Sequence, residues 1–330
     1  MLWSILLVST QKVHCERVIL TMFLVSARHY AFFSRVTLVA VFLLVLVGGL
    51  VRSTESGMGC PDWPKCFGRW VPPTHESQLP SDYHVRYATH GYVVASFDAV
   101  KTWTEYLNRL LGVTIGFLIL LTFISALAFW RSRRSIVVWQ GAAVLIVGLQ
   151  GWLGAKVVFS NLHPLMVTLH MALTLLLIIS LLTPLYATRT MKRSVTMPGG
   201  YYPLILFGLF LVMIQILLGI QVREQVDVLL AAKLCRCCWL SHLGPVLTLH
   251  RAFSWGLLLF TLFALWVMRH VRHVRRLLLG WSGLLGLEVI LGFTLIYADF
   301  PFWAEPLHLL IAFMIFAILW QLLLIFRPTK

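Results

Sequence analysis

Apolar residues in this chain run in blocks of roughly 20, not at the three-to-four-residue spacing of an amphipathic surface helix. Eight such blocks stand out: Ala31–Val51, Leu107–Trp130, Ile136–Ala155, Leu165–Ala187, Tyr201–Val222, Gly244–Met268, Leu277–Tyr297 and Glu305–Phe326. Each is long enough to cross a hydrocarbon layer as a helix, which satisfies its own backbone hydrogen bonds where water is absent. The pattern predicts an all-α integral membrane protein with eight transmembrane helices. Leu2–Val8 and Val18–Val25 are apolar but too short to span. No basic segment precedes the first of them, so residues 1–30 read as an N-terminal extension rather than a signal peptide, with Met22 as an alternative start.

The second half of the pattern restates the first. Gly49-Leu50-Val51-Arg52 closes the first block and Gly219-Ile220-Gln221-Val222-Arg223 the fifth. Leu107-Asn108-Arg109 in the second corresponds to Leu249-His250-Arg251 in the sixth. Gly154 precedes His170 by 16 residues, and Gly292 precedes His308 by 16. Four spans per unit is even, so the two units share one orientation, related by an axis along the membrane normal. This predicts two tandem four-helix bundles, residues 31–193 and 194–330, with cofactor sites inside each. The first carries the long loop 52–104.

Composition agrees with a membrane class. Of 330 residues, 59% are hydrophobic and 12% charged, against roughly 45–50% and 25% in soluble domains. That excludes an ordinary cytosolic enzyme, a disordered chain and a small disulfide scaffold. The net charge of +15 could suggest nucleic acid, but its placement does not. Lys12, Arg17, Arg28, Arg35, Arg131, Arg133, Arg134, Arg189, Lys192, Arg193, Arg269, Arg272, Arg275, Arg276, Arg327 and Lys330 fall on one side of the spans with a single acid, Glu16. By the positive-inside rule that side is cytoplasmic and holds both termini. The basic patches contact anionic lipid, and no nucleic-acid partner is expected.

The repeat places Asn108, His170, His250 and His308 at equivalent positions and one depth, roughly 9 Å below the outer boundary for His250. Imidazoles within a membrane are costly and mark function. His250 and His308 face each other across the second bundle, the usual way to hold a haem iron from both sides. The alternative is an interhelical hydrogen-bonding pair. Zinc fits less well, because no further His, Cys or acid with metal-like spacing is apparent at that depth. The first bundle offers one imidazole, His170, with Asn108 and Glu105, which suits an iron with an open position or a bound substrate. Thr102-x-x-Glu105 also reads as a capping box at a helix start. Arg109 and Arg251 could pair with haem propionates or snorkel to lipid phosphate. His75, His84, His90, His163, His270 and His273 read as surface residues. Cys60 and Cys66 lie in the first outer loop, where an oxidising face favours a disulfide, either a staple or a cycling pair. Cys235, Cys237 and Cys238 cluster in the third outer loop, Arg223–Leu243, with no pairing specified by sequence.

The run Gly48-Gly49-Leu50-Val51-Arg52-Ser53-Thr54-Glu55-Ser56-Gly57-Met58-Gly59-Cys60-Pro61-Asp62-Trp63-Pro64-Lys65-Cys66-Phe67-Gly68 resembles the first-loop signature of the haem A synthase family. So does Trp103-Thr104-Glu105-Tyr106-Leu107-Asn108-Arg109-Leu110-Leu111-Gly112, and His250-Arg251 and Leu307-His308 match later motifs. The resemblance covers residues 35–326. It implies a membrane oxidoreductase that oxidises the C8 methyl of haem O to a formyl group, giving haem A for cytochrome oxidase. It implies a haem b cofactor ligated by His250 and His308, with Arg251 beside it. It places substrate haem O in the first bundle with His170, Asn108 and Arg109, and Glu105 as catalytic carboxylate. Expected iron ligands are thus His250, His308 and His170. Many members carry His where Asn108 stands, so this chain leaves one side of the substrate iron without an imidazole. The location implied is the bacterial inner membrane. Haem O synthase and cytochrome oxidase assembly factors are the partners implied, an electron acceptor is required, and a homo-oligomer is compatible. The rival readings are a quinone-linked haem electron-transfer subunit and a haem carrier.

Overall fold

The computed structural model describes residues 2–87, 97–189 and 200–327, with side chains from Ala27 onward and excluding that of Arg189. Among these residues there is no strand, and one isolated bridge pairs Cys66 with Arg69. The helices are α1 (Leu2–Ser53), α2 (Tyr83–Arg86), α3 (Ala99–Ala126), α4 (Arg134–Phe159), α5 (Pro164–Arg189), α6 (Tyr201–Ala231), α7 (Trp239–His242), α8 (Pro245–Met268), α9 (Arg275–Tyr297) and α10 (Ala304–Ile325). Eight are long and apolar enough to cross a membrane, the first over Ala27–Ser53. Met22 and Glu16, His90, and the basic residues Lys12, Arg17, Arg189, Lys192, Arg193 and Lys330 lie outside the described side chains.

Residues 2–30 lie within α1. Two boundaries differ from the sequence expectation. The third outer loop does not begin at Arg223, because α6 runs on to Ala231 and carries Arg223, Glu224 and Asp227 on helix. The capping box is also absent. Asp98 caps α3, its carboxylate accepting the Val100 and Lys101 N–H groups at 2.8 and 3.1 Å. An aspartate just outside the helix has first access to the free N–H groups. Thr102 and Glu105 are therefore inside the helix and free to turn elsewhere.

The spans pack in sequential pairs: α1 on α3, α4 on α5, α6 on α8, and α9 on α10. Helix α10 also packs on α1, α5 and α6, so one apolar core runs through both halves of the chain. At Gly49 a methyl group would lie 2.9 Å from Cβ of Pro306, which shows how closely α1 approaches α10. Some polar side chains inside the spans pair across helices: Thr37 with Thr122 at 2.8 Å, Gln140 with Tyr30 at 2.9 Å, and Trp320 with Thr183 at 3.0 Å. Large apolar residues such as Phe117, Leu121, Leu259 and Trp266 point outward. On a soluble protein they would form an aggregating surface; against acyl chains they cost nothing.

Candidate functional site

Cys60 and Cys66 form a disulfide. Asp62 closes the turn between them, accepting the Phe67 and Gly68 N–H groups. The loop is pressed onto one face of α3: at Gly59 a methyl group would lie 2.4 Å from the Lys101 carbonyl oxygen. Residues 102, 105, 106 and 109 share that face by helical spacing. Thr102 donates to the Gly59 carbonyl at 2.9 Å, and Tyr106 donates to the Trp70 carbonyl. Glu105 accepts the Cys60 N–H through Oε2 at 2.8 Å and pairs with Arg109 through Oε1 at 2.5 Å. Arg109 also donates to the carbonyls of Asp62, Lys65 and Cys60. The guanidinium fork of Arg109 is thus directed into the disulfide loop.

The second constellation surrounds a cavity of about 300 Å³ with largely apolar walls, a size in the range of small-molecule sites. His250 on α8 and His308 on α10 line it, with ring centres 6.4 Å apart. Imidazole nitrogens bind metals at about 2.0–2.1 Å, so two rings in line across one iron have centres roughly 6 Å apart. The pair therefore has the separation that a bis-imidazole site needs. Nδ1 of each ring is buried without a hydrogen-bond partner among the described residues. Gly219 and Gly292 lie beside the two rings; a methyl group there would be 3.3 Å from His250 Cε1 and 3.8 Å from His308 Cε1. Small residues here let the imidazoles stand between helices.

Arginines gather at the disulfide end of this cavity. Arg251 lines it and is exposed. Arg52 and Arg223 line it too. Sequence reading used these two only as markers of the repeat. Arg52 pairs with Asp227 at 2.5 Å, and Arg223 bridges Asp227 at 2.9 Å and Glu305 at 2.6 Å. Nε of Arg223 is buried with no partner among the described residues. The site thus offers opposed imidazoles, apolar walls and an arginine rim with spare donor capacity, a donor set that fits a haem with two carboxylates.

Sequence reading missed one acid at this depth. Glu288 on α9 lines the cavity, and its Oε1 lies 3.3 Å from His308 Nδ1, though not aligned as a hydrogen bond. A single acid in an apolar run carries no spacing signal; its position four residues before Gly292 was the available clue.

His170 on α5 sits against Gly154 of α4, 3.8 Å from where a methyl group would be. Its Nδ1 is buried without a partner among the described residues, as is Oδ1 of Asn108 on α3. His163 supports the start of α5, accepting the Leu165 N–H at 3.3 Å. Cys235, Cys237 and Cys238 are free thiols whose sulfurs all lie within 4.8 Å of one another.

Residues 31–320 match the family COX15-CtaA, described as cytochrome oxidase assembly protein. A protein named heme A synthase from Shewanella oneidensis is 29% identical over 235 residues, covering 68% of this chain and 68% of its own. Another from Halalkalibacterium halodurans is 26% identical over 325 residues, covering 92% of this chain and 99% of its own. A third, from Alkalihalophilus pseudofirmus, is 26% identical over 316 residues, covering 90% and 97%. The matched region takes in most of the first and last apolar spans, all of the six between them, the disulfide loop and both cavity histidines. This multi-pass membrane protein belongs to the COX15-CtaA family of cytochrome oxidase assembly proteins.

Proposed function

We propose that this protein is a haem A synthase, a membrane oxidoreductase converting haem O to haem A by oxidising the C8 methyl group to a formyl group. The observation that carries this reading is the His250–His308 pair, with ring centres 6.4 Å apart at an arginine-rimmed cavity. It occurs in a chain whose relatives are named heme A synthases.

The two repeats divide the work. In the unit of residues 194–330, His250 and His308 would hold haem b, with Arg251, Arg223 and, from the first unit, Arg52 available to its carboxylates. Bound there, haem b would supply one-electron redox chemistry. The unit of residues 31–193 would take haem O as substrate, with His170 as its one imidazole and Asn108 at the position that His250 holds in the other repeat. A single strong ligand suits a molecule that must leave as product. Glu105 is the acid–base carboxylate. Its two oxygens are oriented by Cys60 and Arg109, and the disulfide serves as the staple that fixes this arrangement. The disulfide end faces outward, and the basic end, with both termini, faces the cytoplasm of a bacterial inner membrane.

Co-expression with a haem O synthase, followed by extraction of membrane haems, tests the assignment. Haem A is expected. Haem O accumulating unchanged in the presence of the folded, haem-loaded protein would contradict it and favour an electron-transfer subunit or carrier.

A further inference from the structure

The glycine–histidine contacts repeat three times, and each carries a polar residue four positions before the glycine. These are Gln150 before Gly154, Gln215 before Gly219 and Glu288 before Gly292. Four residues is about one helical turn, so each polar group lies on the face of its glycine, one turn along the span.

The two glutamines hold the histidine backbone in the same way, and Gln215 Nε2 also lies 3.4 Å from His250 Nε2. Gln150 Nε2 donates to the His170 carbonyl at 3.0 Å and to Thr174 Oγ1 at 2.6 Å. Gln215 Nε2 donates to the His250 carbonyl at 3.3 Å and to Ser254 Oγ at 2.6 Å. In both, the amide grips the backbone of the histidine and the hydroxyl four residues later. That hydroxyl in turn bonds the same carbonyl, Thr174 at 3.0 Å and Ser254 at 2.8 Å.

The third copy changes both partners together. The residue four after His308 is Ala312, which offers no hydroxyl. The amide is replaced by Glu288, whose carboxyl lacks the N–H donors with which the glutamines grip their carbonyls. Its Oε1 lies instead 3.3 Å from His308 Nδ1, and its Oε2 has no partner among the described residues. A carboxylate within a span is costly and is retained where it has work to do.

We infer that Glu288 is a positioning residue for His308, accepting its Nδ1–H and so presenting Nε2 to the haem iron. This inference rests on the reading of His250 and His308 as cofactor ligands. A carboxylate behind a metal-bound imidazole fixes ring orientation and tautomer and raises ligand basicity. The stronger donor favours ferric over ferrous iron. The two histidines thereby become unequal: His308 has a carboxyl group beside Nδ1, while His250 has the Gln215 amide on its carbonyl and 3.4 Å from Nε2.

The test uses the purified full-length protein loaded with haem. Glu288→Gln restores the residue type of the other two copies and is nearly isosteric. It is expected to retain a low-spin haem with a higher midpoint potential and altered EPR g-values. Glu288→Ala is expected to release haem roughly 10- to 100-fold more readily, the usual cost of losing such a support. Glu288→Asp should recover part of the retention. Potential and g-values unchanged in Glu288→Gln would overturn the assignment, even if the alanine variant fails to fold. Failure of the underlying reading looks different: His308→Ala would then leave the low-spin signal intact, whatever the Glu288 variants do.

Discussion

Glu105 on the second span accepts the backbone N–H of Cys60 at 2.8 Å, so the carboxylate nearest the proposed chemistry also anchors the disulfide. Its second oxygen pairs with Arg109, and both side chains are largely buried, at 5% and 13% exposure. Removing one partner of such a pair leaves the other charge uncompensated, at about 3–5 kcal/mol. Arg109 keeps three carbonyl acceptors, which places Glu105→Ala at the lower end. We expect a loss of about 3 kcal/mol of stability in denaturant titrations of the solubilised protein, and a clearly smaller loss for Glu105→Gln. Equal stability of wild type and Glu105→Ala would show that the contact anchors nothing.

Gly59 reports on the same contact from the other side. A methyl group there would stand 2.4 Å from the Lys101 carbonyl oxygen and 2.7 Å from the Thr102 nitrogen. Backbone cannot swing aside as a side chain can, so the loop must lift. Gly59→Ala is expected to cost about 1–3 kcal/mol and to speed tryptic cleavage at Lys65 and Arg69. An unaltered cleavage pattern would count against tight seating of the loop.

The thiol cluster makes a prediction about reactivity. Donation from Cys237, then Cys238, lowers the Cys235 pKa below the usual thiol value, while Cys238 is pushed up to about 12 by Cys235 and Cys237. The thiolate is the nucleophile. In fully reduced protein near pH 8, iodoacetamide should label Cys235 first and Cys238 last, by peptide mass mapping. The Cys235 rate should rise with pH only up to its lowered pKa and then level off. Cys238 labelled ahead of Cys235 would contradict this.

Asn108 occupies the position that His250 holds in the second half. Asn108→His would supply the first unit with a second imidazole. Haem is then expected to be retained there through washes that strip it from the wild type, as a raised haem-to-protein ratio. An unchanged ratio would argue against Asn108 and His170 sharing one iron.

The parts of this architecture written in spacing were readable from sequence. Eight apolar runs gave eight spans, because lipid admits little else. The equal Gly154–His170 and Gly292–His308 intervals marked the repeat, and in both copies a methyl group on the glycine would lie 3.8 Å from the imidazole Cε1. What failed was local competition and isolated residues. Thr102 and Glu105 match a capping box, yet Asp98 lies where it reaches the free N–H groups, and the loop claims the other two. Arg223, Glu224 and Asp227 looked like loop because they are charged, but charges paired at one helical turn need no loop. Glu288 was invisible because one acid among leucines has no pattern until its repeat mates Gln150 and Gln215 are aligned with it.

In the proposed mechanism the second half holds a haem by His250 and His308, while the first half holds its haem by His170 alone. Low-temperature EPR and optical spectra of purified His250→Ala, His308→Ala and His170→Ala variants measure this directly. The low-spin b-type signal is expected to vanish in the first two and persist in His170→Ala, which should nonetheless make no haem A. Loss of the signal in His170→Ala with its survival in His308→Ala would reverse the roles of the two halves and contradict the account.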